Sequence, residues 1–263
     1  MWPEISKSVS VRAARTFAGV RDAALTLLYP NGCRVCGAII ESWRDGVACA
    51  ACWQVIEADR LCYAPCAKCG RPLLPLGVKL EITERRCGRC QELAFACARA
   101  CGPYDGALRE SVLWLKSYPH LPPRLREMLC ATFAMLQTAQ AVETIIPVPL
   151  HASRLKTRGF NQATVLARIL AARTGLLLDT ASLVRIKASD PNRAGMDAVM
   201  RARSVRAAFR IRAPRLIEDR AILLVDDVMT TGATSHEIAQ TLLDGGARSV
   251  SVLTLARAAN QWN

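Results

Sequence analysis

Residues Ala221 to Thr234, AILLVDDVMTTGAT, restrict the fold more than any other stretch of the chain. Four apolar residues in a row, Ile222 to Val225, read as a strand buried on both faces, the pattern of a parallel sheet covered by helices. Asp226 and Asp227 follow at its carboxyl end, where open α/β sheets bind ligands. Met229, Thr230, Thr231, Gly232, Ala233 and Thr234 then make a loop of hydroxyls and small residues before a helix marked by Ile238, Leu242 and Leu243. The amides of a helix's first turn lack partners within the helix, and its dipole favours anions there, so such a loop can cradle phosphate. Adjacent carboxylates repel each other and resist desolvation unless something binds them. A ligand carrying both a phosphate and a vicinal diol answers both halves of the pattern, and a ribose 5-phosphate has that chemistry. A capped helix behind a buried strand, with Asp226 and Asp227 as turn residues, accounts for half of it.

From about Gly102 onward, strand and helix patterns alternate, which implies a parallel sheet with flanking helices. Pro122 to Gln137 reads as a helix opened by prolines, with Leu125, Met128, Leu129 and Phe133 on one face. Thr144 to Val148 reads as a short strand, Asn161 to Thr174 as a helix stopped by Gly175, and Ser249 to Leu255 as the strand that closes the sheet. Between the first two lies a loop with Pro149, Leu150, His151, Arg154, Lys156 and Arg158. Cations beside a strand's carboxyl end suit a pyrophosphate; a solvated basic loop with Asn161 as helix cap is the plainer alternative. Arg185 to Arg220 is rich in arginine and poor in apolar residues until Phe209. Its length suggests a lid, useful where a reaction must be kept from water.

The first third carries a different signal. Cys33-x2-Cys36 is followed by Cys49-x2-Cys52, and Cys66-x2-Cys69 by Cys87-x2-Cys90. Each pair places two thiolates on one knuckle turn, and two knuckles complete a tetrahedral zinc site. We assign the first four cysteines to one structural Zn2+ and the second four to another, with an interleaved pairing left open by the spacing. A disulfide framework is the weaker alternative in a chain without a secretion signal. Cys62, Cys97, Cys101 and Cys130 are expected to be free and partly buried, with Cys62 able to swap into a site. The segment between Cys33 and Gly102 has few large side chains. Metal is therefore expected to hold it up as a scaffold separable from phosphate binding.

Composition sets the partners. A net charge of +13 favours polyanions, while 5% aromatic residues argue against an extended base-stacking platform. No run of the ~18 apolar residues needed to span a membrane occurs. The N-terminal stretch reads as an amphipathic helix from about Val11 to Leu28, with membrane-surface contact as the lesser alternative.

The run at Ala221 to Thr234 resembles the 5-phosphoribosyl-1-pyrophosphate (PRPP) signature of type I phosphoribosyltransferases. Taken with LLYPNGCRVCG, CAKCGRP, GPYDGALRESVLWLK, PVPLHASRLKTRGFNQA, VRAAF and LTLAR, the chain resembles the ComF family, to which GntX-type proteins are close, over nearly its whole length. The resemblance implies an α/β type I phosphoribosyltransferase fold (a parallel sheet flanked by helices) at 102–263, preceded by a small double zinc ribbon at 31–101 and the helix at 1–30. It implies that Asp226 and Asp227 hold the ribose hydroxyls of PRPP and that Met229 to Thr234 hold its 5-phosphate. Pro149, Leu150 and His151 then form the pyrophosphate loop, Mg2+ bridges the pyrophosphate, and Arg154, Lys156 and Arg158 are the catalytic candidates that stabilise the leaving group. The family link implies a cytoplasmic role in DNA uptake, with peripheral contact at the inner membrane as a variant. The alternative is a non-catalytic PRPP sensor, or an adaptor binding single-stranded DNA and uptake proteins; nucleobase salvage is a third option. Departures from the family fall at Lys116–His120, Arg193–Met196 and Ser204-Val205, in and around the expected lid, and bear on turnover rather than on phosphate binding.

Overall fold

The computed structural model describes residues 31–75, 86–187 and 208–258. The expected N-terminal helix and the centre of the arginine-rich segment, including Arg193, Arg201, Arg203 and Arg206, lie outside them.

A five-stranded parallel sheet organises the molecule. Its strands are β3 (Cys97–Pro103), β4 (Thr144–Pro147), β5 (Leu177–Leu178), β8 (Ala221–Met229) and β9 (Ser249–Arg257), in the order β3-β9-β8-β4-β5. The central strand is longer than its apolar run. β8 stays in register with β9 from Ala221–Ser249 to Met229–Arg257, so the ladder carries Asp226 and Asp227 within the strand rather than beyond it. β9 does not close the sheet as expected: it lies between β8 and β3, and β3 and β5 are the edges.

Alternation along the strands feeds two cores. On one face, Leu223, Val225, Leu253 and Leu255 meet α2 (Gly106–Leu115), α3 (Pro123–Gln137) and α5 (Gln162–Thr174) through Leu108, Val112, Leu125, Leu129, Leu166 and Leu170. On the other, Ile222, Leu224, Val250 and Val252 meet α6 (Ala233–Asp244) through Ile238 and Leu242. Both ends of α5 follow from residue type: the Asn161 side chain accepts from Ala163 N–H at its start, and Gly175, at φ 74°, ends it.

The basic stretch after β4 is helical where a loop was expected. Residues Ala152–Arg158 form α4, opened by His151, whose Nδ1 accepts from Ser153 N–H, and closed by Gly159 in the left-handed region. The arginine-rich segment begins and ends in an antiparallel pair, β6 (Leu183–Arg185) with β7 (Phe209–Ile211).

The cysteine-rich region folds onto both cores. α1 (Ala50–Cys62) buries Trp53, whose indole N–H donates to Asp45 O at 2.9 Å. A short hairpin, β1 (Tyr63–Pro65) with β2 (Pro72–Pro75), frames the Cys66 knuckle. That knuckle lies against β3: Ala98 N–H donates to Lys68 O at 2.7 Å, and a Cβ on Gly70 would stand 2.7 Å from Ala98 O. Only glycine fits there, and its φ of +67° excludes other residues independently. The boundary expected between residues 101 and 102 falls inside β3.

Candidate functional site

Strand order places the site. From β4 the chain passes through α5 on one face to β5, while β8, on the other side of β4, is followed by α6 on the opposite face. The crevice at the carboxyl ends of β4 and β8 is therefore the switch point at which such sheets take ligands. The two strand ends are held together as Val148 N–H donates to Val225 O at 2.9 Å. This brings Pro149, Leu150 and His151, all half-buried, beside the start of the carboxylate pair.

Asp227 is buried and Asp226 half-buried. Desolvation, and then the neighbouring Asp227 carboxylate, push Asp226 well above the usual carboxylate range. Backbone amides turn both side chains back along the strand: Asp227 N–H donates to Asp226 Oδ1 and Val228 N–H to Asp227 Oδ1, each at 2.9 Å. Two further residues reach Asp227, and neither was expected as a site residue. Gln162 Nε2 donates to Asp227 Oδ2 at 3.3 Å, and Lys116 Nζ lies 3.9 Å from the same oxygen. Gln162 also accepts from Arg158 Nη1, which ties the basic helix to the carboxylates. Arg158 is thus connected to the site, whereas Arg154 and Lys156 stand exposed on α4. The clue to Gln162 was its place in RGFNQ, directly after the cap of α5; Lys116 was visible only as the last residue of GPYDGALRESVLWLK.

The loop expected to hold phosphate turns on Gly232, at φ 84°, which precedes the first turn of α6 with no side-chain cap. Thr231 Oγ1 accepts from Ala233 N–H at 3.3 Å, and Thr230 is exposed at the tip. The Asp226–Asp227 pair, the loop hydroxyls and the first-turn amides of α6 thus follow one another at the carboxyl end of β8, a combination that fits an anion bearing sugar hydroxyls.

The eight expected cysteines form two separate sets, Cys33, Cys36, Cys49 and Cys52, and Cys66, Cys69, Cys87 and Cys90, the sequential rather than the interleaved pairing. A tetrahedron with Zn–S of ~2.3 Å has sulfur–sulfur edges of ~3.8 Å. The separations are 3.8 Å for Cys33–Cys52 and 3.7 Å for Cys36–Cys49, and 3.5 Å for both Cys66–Cys90 and Cys69–Cys87. These fit a zinc ion and are far too long for disulfides at ~2.05 Å. Backbone N–H groups point at sulfur in each set, Val35 to Cys33 Sγ and Cys87 to Cys66 Sγ. Burial opposes ionisation of Cys33 and Cys66, yet the knuckle amides outweigh it and bring both thiols down to about 6. Cys97 and Cys101 lie in the buried faces of β3, more deeply than expected, and burial raises Cys101 to about 11. The side chain of Cys62 lies outside the described residues.

The second set adjoins the phosphate loop. Leu93 and Phe95 pack 3.5 and 3.8 Å from the position a Cβ on Gly232 would occupy, and Ala94 N–H donates to His236 Nδ1 at 3.0 Å. Arg257, at the end of β9, is 4% exposed and donates from Nη1 to Cys69 O. Burial pulls its guanidinium below its usual value, opposed by the cysteines of that set.

Two family descriptions match this chain: residues 24–91 the double zinc ribbon domain, and residues 155–263 the phosphoribosyl transferase domain. DNA utilization protein YhgH of Salmonella typhimurium is 29% identical over 238 residues, covering 88% of this chain and 99% of that protein. Competence protein F of Haemophilus influenzae is 27% identical over 221 residues, covering 80% and 90%. Among solved structures, the allosteric regulatory enzyme of purine biosynthesis aligns at a TM-score of 0.35 and 20% identity, over 52% of this chain and 28% of that one. Among the described residues, no helix is long and apolar enough to cross a membrane.

Proposed function

This chain is a ComF-type protein, a double zinc ribbon joined to a phosphoribosyltransferase domain, and from that premise we propose that it binds PRPP with Mg2+ and acts in the handling of DNA taken up from outside. The observation that carries the reading is the Asp226–Asp227 pair, followed directly by the Gly232 loop at the switch point of the sheet. Asp226 and Asp227 accept from the ribose hydroxyls. The amides and hydroxyls from Met229 to Thr234 take the 5-phosphate, and Pro149 to His151 face the pyrophosphate. Mg2+ prefers hard oxygen ligands, which phosphate and carboxylate groups provide, and supplies charge neutralisation on the pyrophosphate.

If the bound PRPP reacts, the C1–O bond to pyrophosphate breaks with its electron pair going to the leaving oxygen, and an acceptor atom bonds to C1. The sugar becomes cationic on the way, and Arg158, held by Gln162, is the cation best placed to meet the charge growing on the leaving group. The Lys116–Asp227 pair keeps a cation beside a carboxylate that otherwise faces a second one. Mg–PRPP should raise the Tm of the wild-type protein and leave that of Gly232→Val unmoved, because a branched side chain obstructs the phosphate and strains a left-handed position. Equal stabilisation of both proteins removes the phosphate loop from the account. Pyrophosphate release across a panel of acceptors then separates an enzyme from a binding protein.

A second reading, an adaptor for single-stranded DNA, is favoured by one specific feature. A cleft of about 890 Å3 beside Leu150 and Phe160 is lined by Arg126, Arg168, Arg185 and Arg212 and, among the described residues, by no carboxylate. Anisotropy of a labelled single strand, with a steep loss of binding on adding salt and on Arg168→Glu, supports this reading; binding that ignores both counts against it.

A further inference from the structure

Arg257 has no counter-charge of the ordinary kind. It is the only charged residue of its strand, is 4% exposed, and among the described residues makes no ion pair with a carboxylate. One hydrogen bond goes to Cys69 O, and its Nε is buried without an acceptor. A buried, unpaired guanidinium is strongly unfavourable. The negative charge available to it is the second cysteine set, which carries about −2 when four thiolates hold Zn2+. The first set offers nothing comparable, since the cation inside its knuckle, Arg34, is exposed and lies over the Trp114 ring at 4.6 Å.

The same residue is built into the floor of the phosphate loop. Arg257 is the register partner of Met229, and Ala258 N–H donates to Met229 O at 3.0 Å, so β9 and the start of the loop move as one. Leu93, Ala94 and Phe95, just past Cys90, touch the loop at Gly232 and His236 from the other side. We infer that Arg257 is a positioning residue that joins the second zinc site to the phosphate loop, so that zinc at Cys66, Cys69, Cys87 and Cys90 and an anion at Met229–Thr234 bind cooperatively. Releasing that ion removes the charge that Arg257 is buried against; the end of β9 then rearranges and takes Met229 with it. Coupling between sites is reciprocal, so the loop's ligand must in turn hold the zinc more tightly. The ligand half of the inference rests on the phosphoribosyl reading; the link between Arg257 and the loop does not.

Two measurements on the zinc-loaded full chain test it. Hydrogen exchange over residues 229–236 should quicken by about tenfold in Arg257→Met, with exchange over α1 unchanged, and return toward wild type in Arg257→Lys. Unchanged exchange at 229–236, or a rise spread evenly over the protein, overturns the link. Chelator-driven zinc release from wild type should show two ions, one slowed by about 5- to 150-fold when Mg–PRPP is present and the other unaffected. PRPP that binds by calorimetry but changes neither release rate overturns the coupling. PRPP that fails to bind, with the exchange result intact, sinks the phosphoribosyl reading and leaves the positioning role supported.

Discussion

The two cysteine sets share one ligand pattern and similar sulfur spacings, yet they belong to opposite faces of the sheet. Cys33 and Cys49 lie in the core that joins α1, α2 and α3, whose Trp53 donates to Asp45 O and lies under Arg124, the ion-pair partner of Asp45. Cys66, Cys69 and Cys90 lie in the core shared with α6, Phe95 and Met229. One set secures the cysteine-rich region to the helices; the other forms part of the wall of the candidate site. Identical local chemistry therefore has different consequences, decided by which face of the sheet each knuckle covers.

The largest expected effect on this contrast comes from removing one ligand from each set in turn. Cys69→Ser should lose one of two zinc ions and weaken Mg–PRPP binding by about 30-fold or more, within the range of ordinary coupling energies. Cys36→Ser should also lose one zinc but change affinity by no more than about threefold, as separate sites with no shared partners do. Metal analysis with calorimetry on both proteins checks this, and equal losses of affinity would dissolve the contrast. A smaller effect is confined to the first set. Arg124→Met leaves the buried Asp45 carboxylate without its cation and should cost about 1–3 kcal/mol in urea unfolding, with Mg–PRPP affinity unaltered. The smallest is a pH effect at the site itself. Between the unfolded carboxyl pKa of ~4 and its raised value in the fold, Asp226 binds its proton more tightly in the native state. Stability attributable to it thus falls as pH rises through that window. Asp226→Asn should melt higher than wild type, by a margin that widens from acid to neutral pH; a margin independent of pH would deny the shift.

Much of this was legible in the sequence, for physical reasons that also mark where legibility ended. Strong periodicity and unambiguous caps put the ends of α3 and α5 within a residue of expectation, and paired cysteines announced their sets by spacing alone. β3 escaped notice because CARACGP is built from small residues, cysteine, arginine and glycine, with little of the branched or aromatic character that marks strands. It is a strand because β9 and the Cys66 knuckle pair with it, a tertiary cause. α1 was hidden in the same way, its pattern overlaid by Cys52 and Cys62. The idea of a separable scaffold came from counting large side chains between Cys33 and Gly102, which could not reveal that Trp53, Ile56 and Phe95 are buried in cores shared with the sheet. Among site residues, Asp226, Asp227 and the Gly232 loop are contiguous and could be read directly. Gln162 and Lys116 reach Asp227 only through folding, as Arg257 reaches Cys69, and a lone arginine at the end of LTLAR carries no local sign of burial.

The central claim is that Asp226 and Asp227 hold a ribose whose phosphate sits on the Gly232 loop. Calorimetric titration of Mg–PRPP into zinc-loaded wild type and into the Asp226→Asn, Asp227→Asn double variant tests it most directly. Each charge-assisted hydrogen bond lost should cost about 1.5–3 kcal/mol, so the double variant should bind at least about a hundredfold more weakly while keeping its fold, having shed two neighbouring like charges. Wild type that does not bind, or a double variant that binds as tightly as wild type, contradicts the account.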